Sequence, residues 1–206
     1  MATATFVAAN LAVFMLELSL GGGLDAFVRR WGIVPADVFE SLQGSQGPAA
    51  LVTLLTSTFL HAGWLHLLSN LVYLGVFGLP VERRVGAGRF ALLYLLSGLV
   101  GSLAYLLAQP TSEVPAVGAS GAIAGVIAAH LVLFPGATLG SLAPVLFLHV
   151  VESTPTLLLL LVWLATQLFS GVASLTTSTG IAWWAHVGGF ASGLALAPVL
   201  RKGRRQ

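Results

Sequence analysis

Cysteine and charge are what this sequence most clearly lacks. None of its 206 residues is cysteine and only 8% are charged, whereas ordinary globular domains contain about 25% charged residues. The absence of cysteine excludes disulfides, thiol nucleophiles and cysteine-ligated metal sites, so any nucleophile here has to be an oxygen. Hydrophobic residues make up 57% of the chain and its mean hydropathy is +0.94, which indicates a protein that crosses the membrane several times.

The sequence also argues against two other functional classes, metalloproteases and nucleic-acid-binding proteins. The sequence has no His-Glu-x-x-His motif, the ligand set expected of an intramembrane metalloprotease, so we expect no metal. The net charge is +2 and the isoelectric point is near 9.5, but the basic residues lie in short clusters beside apolar runs. Such clusters are typical of membrane topology, so we expect a lipid bilayer around the protein and no nucleic acid partner.

Apolar runs long enough to cross about 30 Å of hydrocarbon predict six transmembrane helices. The predicted spans cover residues 4–21, 64–80, 90–108, 118–134, 155–170 and 182–200. The predicted fold is therefore an all-α, six-helix membrane bundle, with residues 1–206 as a single domain. About 40 residues separate the first two spans, which is too long for an idle connection, so we expect this loop to be structured.

Basic residues set the predicted orientation, because short loops rich in arginine and lysine stay on the cytoplasmic side. One cluster lies between the second and third spans, and the other follows the sixth: Arg83, Arg84, Arg89, Arg201, Lys202, Arg204 and Arg205. With six crossings, both clusters and both termini are predicted to be cytoplasmic. The composition favours a bacterial plasma membrane.

The segment from Thr138 to Val151 is apolar but covers only about 14 residues, and we interpret it as interfacial or re-entrant. A seventh crossing there would place the ends of the later spans on opposite sides of the membrane. With six crossings, the second, fourth and sixth spans all begin on the same side. His66, Ser120 and His186 lie in the first turns of these three spans, so we expect them at one depth in the membrane.

Two short motifs carry the candidate chemistry. Gly118-Ala119-Ser120-Gly121 places a serine between small residues at the start of an apolar run, and Ala185-His186-Val187-Gly188-Gly189 places a histidine near the start of another. A neutral His186 could accept the Ser120 proton during attack and return it to a leaving amine. Because no acidic residue shares a helix face with His186, we predict a Ser–His dyad whose imidazole is oriented by packing and neutral hydrogen bonds.

Candidate donors for the developing oxyanion come from two places. Ser120 at a helix start has a backbone N–H without an intrahelical partner, in a dipole that favours negative charge. His66 and Asn70 are four residues apart and therefore lie on one helix face, while His61 points elsewhere and is the weaker candidate.

Small residues recur every four positions on both motif-bearing spans. Gly121 and Gly125 lie on the fourth span, and Ala185, Gly189 and Gly193 on the sixth. This pattern predicts close approach of the two backbones, which would bring Ser120 and His186 together. Plain helix packing explains the same pattern about equally well, so the spacing alone does not decide between packing and catalysis.

The sequence resembles the rhomboid family of intramembrane serine proteases. The matching stretches are His61 to Asn70, Val81-Glu82-Arg83-Arg84, Gly118 to Gly125 and Ala182 to Phe190, in this order from about residue 50 onward. The resemblance implies a six-helix fold, a catalytic Ser120–His186 pair, and oxyanion donors from His66, Asn70 and the Ser120 N–H, with Gly118, Gly121, Gly189 and His61 in support. It also implies cleavage of membrane-anchored protein substrates without a cofactor.

Two departures from the family pattern stand out. Leu51-Val52-Thr53 replaces a Trp-Arg pair that many members carry in the first loop, and Ala124 replaces an aromatic residue that in some members stacks on the histidine. Glu17, an acid within the first span, has no evident role in the sequence.

Three other interpretations stay open at this stage. Ser120 could be a packing residue bonded to a backbone carbonyl, as is common in membrane helices. A transporter is another class, but it would place its polar groups near the membrane midplane. The main alternative is a non-catalytic rhomboid-like protein that binds and guides client membrane helices, since one scaffold can host both functions.

Overall fold

The computed structural model describes residues 1–44, 49–138, 156–175 and 181–200. Its helices in chain order are α1 (Ala2–Ser19), α2 (Leu24–Trp31), α3 (Pro35–Leu42), α4 (Ala49–Thr56), α5 (Trp64–Tyr73), α6 (Leu79–Val85), α7 (Ala87–Ala108), α8 (Ser120–Leu133), α9 (Thr156–Ser174) and α10 (Trp183–Leu200). A π-helical turn over Leu74–Gly78 joins α5 to α6, so these two form one continuous span. The predicted all-α membrane bundle with a structured first loop is confirmed, since α2, α3 and α4 all lie in that loop.

Length and composition suit four of the described helical segments to crossing a membrane. Among the described residues, α1, the α5–α6 span, α7 and α9 are long and apolar enough to cross a bilayer. The α8 helix is shorter, with 14 residues, and 11 of them are buried by its neighbours. Large apolar side chains instead point outward from the surrounding helices, as at Leu65 (83% exposed) and Phe169 (80%), where lipid would cover them.

Two buried carboxylates connect the ends of α1 to the second span. Glu82, near the end of α6, accepts hydrogen bonds from the N–H groups of Ala2 and Thr3 at 2.7 and 2.9 Å, and from the Thr3 hydroxyl at 2.6 Å. At the other end of α1, both oxygens of Glu17 lie 3.2 Å from the N–H of His61. The two spans therefore run antiparallel, and Glu17 satisfies a backbone donor just before α5 begins.

The later helices continue this alternation. Arg89, at the start of α7, donates to the carbonyl of Leu200 at 3.3 Å, so α7 begins where α10 ends. The N–H of Thr156 donates to the Ala137 carbonyl at 3.1 Å, so α9 begins at the end of the bundle where α8 finishes. Apart from Thr138, the segment predicted to be interfacial or re-entrant lies outside the described residues. The described residues on either side of it, Ala137 and Thr156, lie at the same end of the bundle.

Close packing of α8 on α10 depends on glycine. A Cβ atom built at Gly189 would overlap the carbonyl oxygen of Gly121, and one at Gly193 would overlap the carbonyl oxygen of Gly125. The close approach that the spacing of small residues predicts is therefore confirmed. Without side chains in the way, the first turns of the two helices can lie side by side.

The first loop is anchored through backbone hydrogen bonds to the connection that precedes α8. Ile33 and Ala116 exchange two such bonds, at 3.0 and 2.9 Å, and the N–H of Gly118 donates to the Ser57 carbonyl at 2.8 Å. These backbone hydrogen bonds anchor the first loop, in which Leu51-Val52-Thr53 replaces the Trp-Arg pair. They also fix the stretch that leads into Ser120.

Candidate active site

Ser120 is the first residue of α8, directly after a turn that requires glycine. Gly118 has φ +129°, a conformation that L side chains rarely adopt, and a Cβ atom there would lie 2.6 Å from Cε1 and 2.7 Å from Nε2 of His66. Only glycine therefore allows the His66 ring to lie against this turn. As the first helical residue, Ser120 also has an N–H without an intrahelical acceptor, at the positive end of the helix dipole.

The Ser120 hydroxyl oxygen lies 2.7 Å from Nε2 of His186, which is hydrogen-bonding distance. The two residues come from the first turns of α8 and α10, which begin at the same end of the bundle. The structure thus brings together the two motif residues that are 66 positions apart in sequence. This contact is the geometry that an activated serine needs, with the hydroxyl donating to the imidazole.

A side chain that the sequence analysis did not single out contacts the other face of the pair. The amide oxygen of Gln167, on α9, lies 2.6 Å from Nδ1 of His186. An amide oxygen can only accept a hydrogen bond, so this contact is a hydrogen bond only when Nδ1 carries the proton, the tautomer in which Nε2 has a lone pair for the Ser120 hydroxyl. The sequence feature that could have identified Gln167 is its position in a largely apolar span, where a side-chain amide needs a hydrogen-bond partner.

Two tryptophan rings flank the imidazole of His186. Ala124, at the position where some family members have an aromatic residue that stacks on the histidine, has no ring to do so. The ring centroid of Trp163 lies 6.1 Å from that of His186, and Trp183 stands perpendicular to the imidazole at 6.2 Å. The histidine is therefore enclosed by tryptophans from α9 and α10. That packing and neutral hydrogen bonds orient the imidazole for catalysis stays a prediction.

His66 and Asn70 lie on the face of α5 that borders the same cavity as Ser120. The N–H of Ala62 donates to Nδ1 of His66 at 3.4 Å, which leaves Nε2 as the protonated nitrogen. The Asn70 amide nitrogen is buried and has no hydrogen-bond partner among the described residues. Each side chain thus has a free N–H donor, although their role towards an oxyanion stays a prediction.

His61 does not border this cavity. Its Nδ1 lies 3.2 Å from the Phe59 carbonyl, and its ring stands edge-on to that of His66 at a centroid distance of 5.3 Å. Burial, reinforced by the neighbouring His66, lowers the pKa of His61 to about 4, so the ring is neutral at pH 7. Together with the bond from its N–H to Glu17, this places His61 behind His66 rather than beside the reacting hydroxyl.

The cavity that contains Ser120 has a volume of about 660 Å³. Its polar lining includes His66, Asn70, Ser120, Gln167 and His186, and the rest of its wall is largely apolar. A mostly apolar cleft with a few convergent polar groups is the usual form of a binding site. Among the described residues, no cluster of three or more histidine or acidic side chains could hold a metal ion.

A model of the Rhomboid domain matches residues 48–203, which is most of the chain. The chain belongs to the rhomboid family. It is 34% identical over 165 residues to RHOMBOID-like protein 4 of Arabidopsis thaliana, covering 80% of this chain and 36% of that protein. It is 46% identical over 78 residues to Rhomboid protease GluP of Bacillus subtilis (strain 168), covering 38% of this chain and 15% of that protein.

Not every relative of this rhomboid carries the name of a protease. Over 86 residues it is 38% identical to Inactive rhomboid protein 1 of Drosophila melanogaster, covering 42% of this chain and 6% of that protein. The rhomboid chain described here spans well under two thirds of the length of these relatives. The relatives therefore include one named as a protease and one named as inactive, so family membership alone does not establish catalytic activity.

Proposed function

We propose that this rhomboid is an intramembrane serine endopeptidase that cleaves membrane-anchored protein substrates through a Ser120–His186 dyad. The observation that carries the proposal is the 2.7 Å contact between the Ser120 hydroxyl and Nε2 of His186. His66 and Asn70 line the same cavity, and the buried Asn70 amide nitrogen has no hydrogen-bond partner among the residues that the structure describes. A protein that only binds client helices would need neither this contact nor these donors.

The reaction runs in two steps. In acylation, Nε2 of His186 takes the Ser120 proton while Oγ attacks the scissile carbonyl carbon, and the carbonyl oxygen becomes an oxyanion beside the donors of Ser120 N–H, His66 and Asn70. When the intermediate collapses, the C–N bond breaks and His186 gives the proton to the leaving amine. In deacylation, water attacks the ester carbon, His186 accepts one of its protons and gives it to Ser120 Oγ as the C–Oγ bond breaks, and the carboxylic acid product leaves and ionises in water.

The behaviour of helices in membranes supports the proposed substrate class. A transmembrane helix has its amides bonded internally, so a scissile bond becomes accessible only where the helix unwinds. We therefore expect cleavage at small or helix-breaking residues in or near a membrane segment. No cofactor or metal takes part in this scheme.

The proposed orientation places the cavity on the extracytoplasmic side of a bacterial plasma membrane. Arg83, Arg84 and Arg89 lie at the opposite end of the bundle from Ser120, where the positive-inside rule puts the cytoplasm. The second basic cluster, in residues 201–206, lies outside the described residues. Both termini would then be cytoplasmic.

The test uses the full chain purified in detergent. We expect a fluorophosphonate probe to label the wild-type protein, and a fluorescent transmembrane substrate to be cut, while Ser120→Ala and His186→Ala each abolish cleavage without loss of thermal stability. Retained cleavage in either variant would refute the dyad. A well-folded wild-type protein that neither reacts with the probe nor cuts the substrate, yet binds it, would favour the client-guiding alternative.

A further inference from the structure

The amide oxygen of Gln167 lies within hydrogen-bonding distance of Nδ1 of His186, the ring nitrogen that does not face Ser120. We propose that Gln167 is a positioning residue that holds His186 in the tautomer protonated on Nδ1, the one that can act as a base toward Ser120. The inference rests on the proposed function, because it names the group that prepares the base. It adds a third residue to the pair that the sequence motifs predict.

The orientation of the Gln167 amide is itself fixed by backbone. Its nitrogen lies 3.3 Å from the carbonyl oxygen of Trp163 and 3.1 Å from the Thr166 hydroxyl. A carbonyl oxygen only accepts, so the amide nitrogen has to face Trp163 and the amide oxygen has to face His186. Gln167 borders the cavity, but only 5% of its surface is exposed, so little of it is open to water that could replace these bonds.

The tautomer of His186 follows from that orientation. An amide oxygen 2.6 Å from Nδ1 can be satisfied only by an Nδ1–H donor, which leaves the lone pair of Nε2 directed at the Ser120 hydroxyl. The tautomer protonated on Nε2 would set two acceptors against each other at Nδ1 and remove the base at Nε2. Packing against Trp163 and Trp183 holds the ring in place but does not select between the two nitrogens.

A glutamine can hold the orientation and tautomer of His186 without placing an ionised group inside the helix bundle. A carboxylate at this position would stabilise the imidazolium more strongly, but a charged side chain among apolar helices is costly. The amide gives orientation and tautomer at a lower cost of desolvation. We expect its contribution to be modest, because it supplies one neutral hydrogen bond.

Other bonds hold α9 to its neighbours and allow a matched control. The Gln109 amide nitrogen, on the turn after α7, donates to the Ser174 carbonyl at 2.7 Å, and the Trp184 indole donates to the Gly171 carbonyl at 3.0 Å. The variant Gln109→Leu therefore removes a glutamine that tethers α9 without touching His186. If Gln167 acts only by tethering α9, the two glutamine-to-leucine variants should behave alike.

The first experiment reads the tautomer directly, by NMR of the detergent-solubilised full chain labelled with ¹⁵N-histidine. The His186 signals are assigned by their loss in His186→Ala. We expect His186 to be protonated on Nδ1 and unprotonated on Nε2 in the wild-type protein and in Gln109→Leu. We expect the same in Gln167→Glu, because the glutamate keeps a hydrogen-bond acceptor at this position. In Gln167→Leu we expect a mixture or the opposite tautomer. Wild-type protein protonated on Nε2, or Gln167→Leu with an unchanged tautomer, would overturn the proposal, and neither result depends on catalysis.

The second experiment measures the rate of fluorophosphonate labelling against pH. We expect Gln167→Leu to slow labelling roughly three- to tenfold, the cost of one net hydrogen bond, with Gln109→Leu at the wild-type rate. Gln167→Glu should retain labelling, with the acidic limb of its profile moved to higher pH because a carboxylate stabilises the imidazolium. Equal rates in wild type and Gln167→Leu would contradict the proposal, whereas an unreactive wild type contradicts the dyad and leaves the NMR result to decide on Gln167.

Discussion

The hydrogen bonds that reach the Ser120 hydroxyl run through neutral groups. They pass from the Trp163 carbonyl through the Gln167 amide and the His186 imidazole to Ser120. Water-soluble serine proteases commonly use a buried aspartate for the third position. Here the position is occupied by an amide, which matches a setting where charge is expensive.

Substitution of Asn70 tests the proposal that its side chain donates a hydrogen bond to the oxyanion. Because its amide nitrogen is buried and has no partner in the described part of the chain, Asn70→Ala removes a donor that makes no hydrogen bond there. We expect kcat on a fluorescent transmembrane substrate to fall about 10²–10³-fold with little change in KM, as for loss of one oxyanion donor.

The control is Asn10→Ala, which truncates another fully buried asparagine, on α1 and away from the cavity. Asn10→Ala should affect unfolding temperature more than kcat. If Asn70→Ala raised KM and left kcat unchanged, Asn70 would contribute to ground-state binding and not to the transition state.

At the scale of the helices, the distance between Ser120 and His186 depends on how closely α8 and α10 approach. Gly189→Ala adds a methyl group that overlaps the Gly121 carbonyl, so the helices have to separate. We expect a loss of about 1–3 kcal/mol in stability and a loss of fluorophosphonate labelling of more than tenfold.

Gly88→Ala is the matched change, because it lies in the first turn of α7 and a Cβ atom there meets nothing within 4 Å. It should keep wild-type stability and labelling. Unimpaired labelling in Gly189→Ala would show that the bundle absorbs the methyl group without moving the pair.

Glu17 has a structural role at the junction of α1 and the first loop. Its carboxylate accepts the buried N–H of His61, so Glu17→Leu leaves that donor unpaired and should cost about 1–3 kcal/mol. Glu17→Gln keeps an acceptor oxygen and should retain most of the stability. Thermal unfolding in detergent measures both, with Met15→Leu, an exposed position on the same helix, as the control. Equal melting temperatures for Glu17→Leu and Glu17→Gln would contradict this role.

The sequence reveals helices and motifs but not the contacts between distant helices. Span length identifies the six-helix bundle, and the alternation of spans places His66, Ser120 and His186 at one end of it, because both follow from local hydrophobicity. The pairing of Gln167 with His186 depends on the rotation of α9 about its own axis, which the apolar residues around Gln167 do not encode. For the same reason, the use of Trp163 in place of an aromatic residue at Ala124 emerges only from packing.

For the whole molecule, the predicted orientation decides on which side of the membrane the cavity opens. Because the chain has no cysteine, single introduced cysteines can test this orientation. Single cysteines introduced as Thr111→Cys, near the end where Ser120 lies, and Arg84→Cys, at the opposite end, would be the only thiols in the chain. Both positions are exposed. In intact bacterial cells, we expect a membrane-impermeant maleimide to label Thr111→Cys and to reach Arg84→Cys only after the cells are broken, because arginine-rich loops stay in the cytoplasm. The reverse pattern would place the dyad at the cytoplasmic face, and its substrates would then have to present their scissile bonds on that side.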